Sequence, residues 1–314
     1  MSIGIGLGIA GFPFSSAQAF LDWIDLCEEL SVDSVWFSER LVSPAPNLEP
    51  IAAMGIAAGR TRKLKVGMNA IVVSLRDPLV LAKECATLDY LSGGRLLPVF
   101  GVGDKRAPEW HATGREPKGR GARADETLDL LRRLWSEERV TYQGQHYRYT
   151  EATISPRPVQ QPLPLWIGGS SEAAIRRTAR VGTGWLAGLQ TPAQVAPVVR
   201  QIQAALPEFG RTIDDDHYGA GFSFRFGTMD DPVVQRQAAA LARLPGMSDP
   251  ASYVAVGDAG AITARLGAYI GAGISKFVLR PMAQDDTDMN AQTRWLLEEV
   301  VPEFARRAAT PAAG

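Results

Sequence analysis

The sequence predicts an α/β chain folded as one (β/α)8 barrel, the TIM-barrel architecture with loop insertions, and three observations predict it. Apolar strand-like runs alternate with amphipathic helix-like stretches from end to end, as in closed or doubly wound α/β folds. The stretch Leu64 to Gly103 reads as one complete strand, turn, helix, turn, strand unit, the building block of a parallel sheet. No linker and no repeat of about twenty to fifty residues divides the chain, so residues 1–314 are expected to form a single domain.

Eight strands are expected: Ile3 to Leu7, Ser34 to Phe37, Lys65 to Val73, Leu96 to Val102, Leu165 to Gly168, Gly184 to Ala187, Gly219 to Phe226 and Phe277 to Arg280. The third is apolar on both faces, as a strand buried inside a parallel sheet must be. The first helix opens on Ser15 and Gln18, spaced as a capping box, and carries Phe20, Trp23, Ile24, Cys27 and Leu30 on one face. After the third strand, Asp77 supplies an N-cap and Pro78 a first turn with φ already set. Leu81, Leu88 and Leu91 recur at helical spacing, and Gly93 and Gly94 end that helix where a left-handed residue is wanted.

Three connections are longer than a barrel needs. Asp104 to Gly121 is polar and rich in arginine and glycine. Arg139 to Pro164 contains VTYQGQHYRY, two alternating runs around Gly144 that predict an antiparallel hairpin, then a proline-rich return. Gly227 to Ala251 has a helical pattern over Val233 to Leu244 and then a GMSDP turn.

With 46% hydrophobic residues the chain can bury a large core. A net charge of −1 gives no global reason to expect nucleic acid or an anionic membrane as partner. Cys27 and Cys85 fall on apolar stripes with no metal or redox spacing and read as reduced core residues. The N-terminus lacks a basic leader segment, and no apolar run nears the roughly twenty residues that span a bilayer. A cytoplasmic enzyme with no membrane contact is the expectation. No His, Cys or carboxylate cluster has ligand spacing, so no metal is expected.

A barrel of this kind builds its active site at the C-terminal ends of the strands. That rule selects Phe12 in the first loop, Glu39 and Arg40 after the second strand, and Asn69 within the third. It also selects Asp104, Trp110 and His111 after the fourth, Gly168 to Ser171 after the fifth, Trp185 in the sixth and Arg280 at the end of the eighth. Gly168, Gly169, Ser170 and Ser171 join an apolar strand to a helix, where glycines let a phosphate approach and the helix start offers free N–H groups. A serine that only caps the helix fits the same run. Asn69 places an amide in an otherwise apolar strand, and that amide must find partners. His111 is the one histidine near the expected barrel mouth, a candidate proton-transfer group; His146 and His217 fall in the hairpin and in a surface turn. Phe12, Phe37, Trp110 and Trp185 suggest an aromatic pocket wall, although each taken singly reads as barrel core. Arg115, Lys118, Arg120 and Arg123 cluster in one loop, either a solvated lid or a grip on an anionic cofactor. Gly101 and Gly103 form only a partial dinucleotide fingerprint, with no closely following helix.

The phrases VDSVWFSE, ATLDYLSGGR with the glycine-rich strand end after it, PLPLWIGGSSEAAIRRTARVGTGW and AYIGAGISKFVLRP follow one another across most of the chain. As a set they resemble the bacterial luciferase-like monooxygenase family, whose members use flavin mononucleotide (FMN) or the deazaflavin coenzyme F420. The resemblance implies that the Gly169 to Ser171 turn binds the cofactor phosphate and that the Asn69–Ala70 peptide bond is cis beneath the flavin ring. It implies F420-dependent hydride transfer to or from a small organic substrate as the leading activity, because the basic loop suits the acidic tail of F420. An FMN-dependent monooxygenase fed by a separate flavin reductase is the alternative, and a homodimer is a further expectation. Many relatives carry a histidine after the acidic residue of the second strand, where this chain has Arg40. Arginine keeps its proton and cannot shuttle one, but it can pair with an anion. Glu39 is then either the acid/base group or the partner of Arg40. The missing histidine leaves open a flavin-binding barrel without turnover, and the versatility of the fold leaves open a flavin-independent lyase or isomerase.

Overall fold

The computed structural model describes residues 2–304 except 245, 246 and 248. Its strands in chain order are β1 (Gly4–Ile9), β2 (Ser34–Phe37), β3 (Lys65–Met68), β4 (Ile71–Val72), β5 (Leu96–Leu97), β6 (Val99–Gly101), β7 (Val140–Gln143), β8 (Arg148–Ala152), β9 (Trp166–Gly168), β10 (Gly184–Leu186), β11 (Tyr218–Ala220), β12 (Ser223–Phe226), β13 (Val254–Gly257) and β14 (Lys276–Pro281). The helices that matter below are α1 (Ala17–Glu29), α2 (Pro50–Arg60), α3 (Pro78–Ser92), α4 (Glu109–Ala112), α5 (Arg120–Ser136), α6 (Glu172–Val181), α7 (Pro192–Ala205), α8 (Pro232–Ala242), α9 (Ala259–Gly271) and α10 (Asp286–Trp295).

Parallel pairing runs β1 to β2, β2 to β3 and β3 to β5. β4 prolongs β3 and pairs with β6, which prolongs β5. The sequence of pairs then continues β6 to β9, β10, β11, β14 and back to β1, so the sheet closes on itself as a TIM barrel. The hairpin β7–β8 stands apart and is antiparallel, as VTYQGQHYRY predicts.

Each expected strand has its counterpart, with three interruptions and one omission. The run expected over Lys65 to Val73 breaks between β3 and β4 at the Asn69–Ala70 bond, which is cis. Leu96 to Val102 breaks at Pro98, which has no N–H to give a ladder. Gly219 to Phe226 breaks around Gly221, where a Cβ would stand 2.2 Å from the Val278 carbonyl oxygen; only glycine allows that approach. β13 was not among the expected strands. Four residues, VAVG, give too short a run to declare themselves, and they order by pairing with β12. The helix expected over Val233 to Leu244 is α8; of the GMSDP turn, Gly246 and Ser248 lie outside the described residues.

Local chemistry sets the helix ends. Asp77 caps α3 by accepting from the Leu79 and Val80 amides, and Gly93 ends it at φ 70°. α1 is capped by Ser16 rather than Ser15, because Ser15 is spent on the Asp286 carboxylate across the fold. Leu81 and Leu88 are buried on α3, but Leu91 is 77% exposed, one residue off the stripe. Cys27 and Cys85 are buried free thiols whose ionisation burial opposes.

Carboxylates tie the long connections down. Glu126 of α5 accepts from the Gln145, His146 and Tyr147 amides and holds the hairpin turn. Buried Asp89 of α3 accepts from the Val159 and Gln160 amides and fixes the proline-rich return. At the N-terminal end of the barrel, Asp33 bridges Lys65 at the start of β3 and Lys276 at the start of β14. Among the described residues no helix is long and apolar enough to cross a membrane.

Candidate active site

Two cavities open among the C-terminal strand ends. The first, about 550 Å³, has Asn69, Ala70, Gly101, Gly168, Gly169 and Ser171 on its wall. Sequence-predicted residues from two separate strands therefore meet in one place, joined by Gly101 from a third. Gly169 adopts φ +107°, a region L side chains rarely enter, and its carbonyl accepts from Trp185 Nε1 at 2.7 Å. That bond fixes the turn from β9 into α6. Ser171 is the N-cap of α6, its hydroxyl accepting from the Ala174 amide at 3.2 Å, so the capping role is realised at a residue that also faces the cavity. Ser170, beside it, is exposed and outside this wall.

The starts of two helices converge here. Gly119, at φ 73°, precedes α5 without any side-chain cap, leaving first-turn N–H groups of α5 unspent by a cap. Arg120 and Gly121 from that turn line the cavity, as does Arg177 from α6. Arg120 is held by the Gly103 carbonyl at 3.2 Å, and Arg177 by a two-pronged bond to Asp125 at 2.7 and 3.2 Å. Two guanidinium groups and two helix N-termini make this end of the cavity electropositive. Arg120 belongs to the basic loop the sequence singled out. Arg177 was missed; the only signal was an arginine on the buried side of the helix that follows the Gly-Gly-Ser-Ser turn.

The rest of the lining around Ala70 is small and uncharged. A Cβ at Gly101 or Gly168 would sit 3.8 or 3.7 Å from the Ala70 methyl, so the two glycines keep open the space over Ala70. The half-buried Asn69 side chain makes no hydrogen bond among the described residues and is left to the cavity. A flat ring system carrying a phosphate fits this cradle on both counts: glycines and Ala70 where the ring would lie, Ser171, Arg120 and Arg177 where an anion would.

The remaining predicted residues lie elsewhere. Glu39 is 2% exposed at its side chain and points to the Val72 amide at 2.7 Å and to Arg76 at 2.6 Å. Burial pushes its carboxyl up, while Arg76 and the Val72 N–H pull the other way. Its ion-pair partner is Arg76 rather than Arg40, and Arg76 also reaches Glu49 and Glu84. Arg40 is exposed with no hydrogen bond or ion pair among the described residues. His111 is exposed on α4, outside both cavities. Asp104 is exposed and folded onto Arg106, and its backbone carbonyl accepts from Trp110 Nε1 at 2.7 Å. Of the four candidate wall aromatics, Phe37, Trp110 and Trp185 are buried in the core and only Phe12 lines a cavity.

That cavity is the second one, about 530 Å³, formed by the loop after β1, the start of β12, the end of β14, and α8 and α10. Phe12, Ser223, Gln237, Met282 and Arg280 are on its wall. The two linings share no residue and adjoin at Gly188 and Leu189.

Residues 8–269 match the family model described as luciferase-like monooxygenase. The chain is 28% identical to an F420-dependent glucose-6-phosphate dehydrogenase of Microbacterium testaceum, over 95% of this chain and 98% of that one. A protein of the same name from Nakamurella multipartita is 30% identical over 74% of this chain and 72% of its own length. Among solved structures, monooxygenase RslO1 from Streptomyces bottropensis superposes with a TM-score of 0.82 at 21% identity, covering 96% of this chain and 100% of that one, a likeness of fold.

Proposed function

The chain belongs to the luciferase-like monooxygenase family, and from that premise we propose that it is an F420-dependent oxidoreductase acting on a small organic substrate. The observation that carries this reading is the match, along nearly the whole length of both chains, to a relative named as F420-dependent. The first cavity supports it, since its small, uncharged lining and its electropositive end suit the two parts of a phosphorylated flavin or deazaflavin.

In this reading Asn69, Ala70, Gly101 and Gly168 hold the ring, and Ser171, Gly169, Arg120 and Arg177 hold the phosphate. The bound deazaflavin supplies hydride transfer, which no side chain can perform. The protein's contribution is orientation. Trp185 locks the Gly169 turn, Asp125 aims Arg177, and the Asn69 amide offers a donor and an acceptor at the cavity wall. Glu39 serves as the counter-ion of Arg76, and Arg40 and His111 are left as exposed groups outside both linings. A cytoplasmic setting belongs to the same reading and is supported by the two free buried thiols. So does a homodimer, supported by the apolar side chains of Ile56, Val80 and Leu91, exposed at 56%, 54% and 77%.

Parallel fluorescence titrations with F420 and FMN test the proposal. Saturable F420 binding with FMN much weaker is expected. FMN binding alone would make the chain a monooxygenase served by a separate reductase. Binding of neither would remove the reading in favour of a flavin-independent lyase or isomerase, and binding without turnover would leave a carrier.

A further inference from the structure

We propose that the second cavity holds the substrate through a carboxylate on Arg280, and that the substrate class is an apolar organic acid rather than a sugar phosphate. The inference rests on the oxidoreductase reading only for the word substrate; the ligand class follows from the cavity itself.

Arg280 ends β14 at the active-site end of the barrel. Its amide is spent on the Phe222 carbonyl at 3.0 Å, but its guanidinium makes no hydrogen bond or ion pair among the described residues. Arg95, Arg177 and Arg225, by contrast, are each partnered through the guanidinium. Arg95 reaches the Ser92, Leu64 and Ala58 carbonyls, Arg177 grips Asp125, and Arg225 holds Asp231, Asp288 and the Met282 carbonyl. Around Arg280 no carboxylate lines the cavity, and burial accordingly weakens its hold on the proton. A half-buried cation with five donors and no acceptor beside it is costly unless an anion arrives to meet it. A carboxylate matches a guanidinium fork one to one.

The rest of the wall selects the body of the ligand. Phe12, Leu189, Val233, Leu241 and Met289 are apolar, and the polar side chains besides Arg280 are Ser223 and Gln237. A sugar would bury several hydroxyls against this surface without partners, each at a desolvation cost. An aliphatic or aromatic chain gains from the same surface. Because the linings adjoin at Gly188 and Leu189, a chain anchored at Arg280 can extend toward the first cavity.

The test is calorimetric titration of the protein, with and without F420, using hexanoate, hexan-1-ol and glucose 6-phosphate as probes. Hexanoate is expected to bind about tenfold to a hundredfold more tightly than the alcohol, the range for a charge-assisted pair. Arg280→Met should erase that preference, keep F420 affinity within about twofold, and leave the melting temperature unchanged or raised, since an unpaired, half-buried charge is gone. Arg280→Lys should retain part of the preference. Four results would overturn the proposal: no saturable hexanoate binding at millimolar concentration, equal binding of acid and alcohol, tighter binding of glucose 6-phosphate, or a variant that keeps the preference while losing stability or F420 affinity. The titrations without cofactor separate this from the F420 reading, because either can fail while the other stands.

Discussion

At the residue scale, the cofactor reading depends most sharply on Gly169. Its φ of +107° is strained for any side chain, and a Cβ there would press to 3.3 Å from the Ala174 methyl. Gly169→Val should therefore shift the start of α6 and weaken F420 binding by at least about tenfold, the scale of a kilocalorie or more of strain; fluorescence titration reads it, with circular dichroism as the check on folding. Glu39 and Arg40 make a contrasting pair. Glu39→Ala would strip the Val72 amide and one arm of Arg76 in a buried setting, so unfolding in urea should show a loss of about 3 kcal/mol, the low end for a broken buried pair because Glu49 still holds Arg76. Arg40→Ala should leave both stability and F420 binding unchanged, because Arg40 is exposed and lines neither cavity. A collapse of turnover in Glu39→Gln at unchanged stability would restore the acid/base role to Glu39. Adjacency in sequence offers Arg40 as the partner of Glu39, and the fold explains why it is not: consecutive residues leaving a strand diverge, while Arg76, just past the turn that follows β4, reaches the Glu39 carboxylate.

At the scale of elements, the positions of the strands were legible because burial on both faces makes each one a continuous apolar run. Their breaks were less so. Pro98 could have been read directly, whereas the Gly221 break depends on Val278 of a strand far along the chain, and β13 exists by virtue of its neighbour β12. The same non-local logic governs the closed end of the barrel. Burial raises the Asp33 carboxyl, but the charges of Lys276 and Lys65 outweigh it and bring the group down from 3.8 to about 2. A carboxyl lowered on folding stabilises the fold above its unfolded value, and that contribution disappears as pH falls from about 4 through about 2. Asp33→Asn should therefore be less stable than the wild type by about 2 kcal/mol near neutrality. The difference should close on acidification over that window, in urea melts taken at a series of pH values. Activity should be untouched, because the Asp33 cluster lies at the barrel end opposite the cavities.

At the scale of the whole molecule, the candidate site was legible in proportion to how local it is. The Gly168 to Ser171 turn and the Asn69–Ala70 pair are short stretches whose chemistry stands out against apolar strands, and the barrel topology brings them to one cavity. Arg177 and the Arg280 cavity needed the assembled helices. The outer face follows the same rule. α2 and α3 enclose a groove lined by Ile51, Leu79, Val80, Leu88 and Leu91, and Ile56, Val80, Tyr90 and Leu91 on these two helices are exposed. Leu91 looked like a core residue from its spacing, and a partner's surface would give it the burial that its own chain does not. A two-fold axis through this face would place each α2–α3 groove against its own copy, the self-complementary arrangement of a cyclic dimer. Sedimentation equilibrium should find the wild type dimeric at micromolar concentration. Replacing Val80 and Leu91 together by glutamate should give a monomer that still binds F420, because neither residue lines the first cavity. A wild type that sediments as a monomer would remove the dimer and leave these side chains as plain exposed surface.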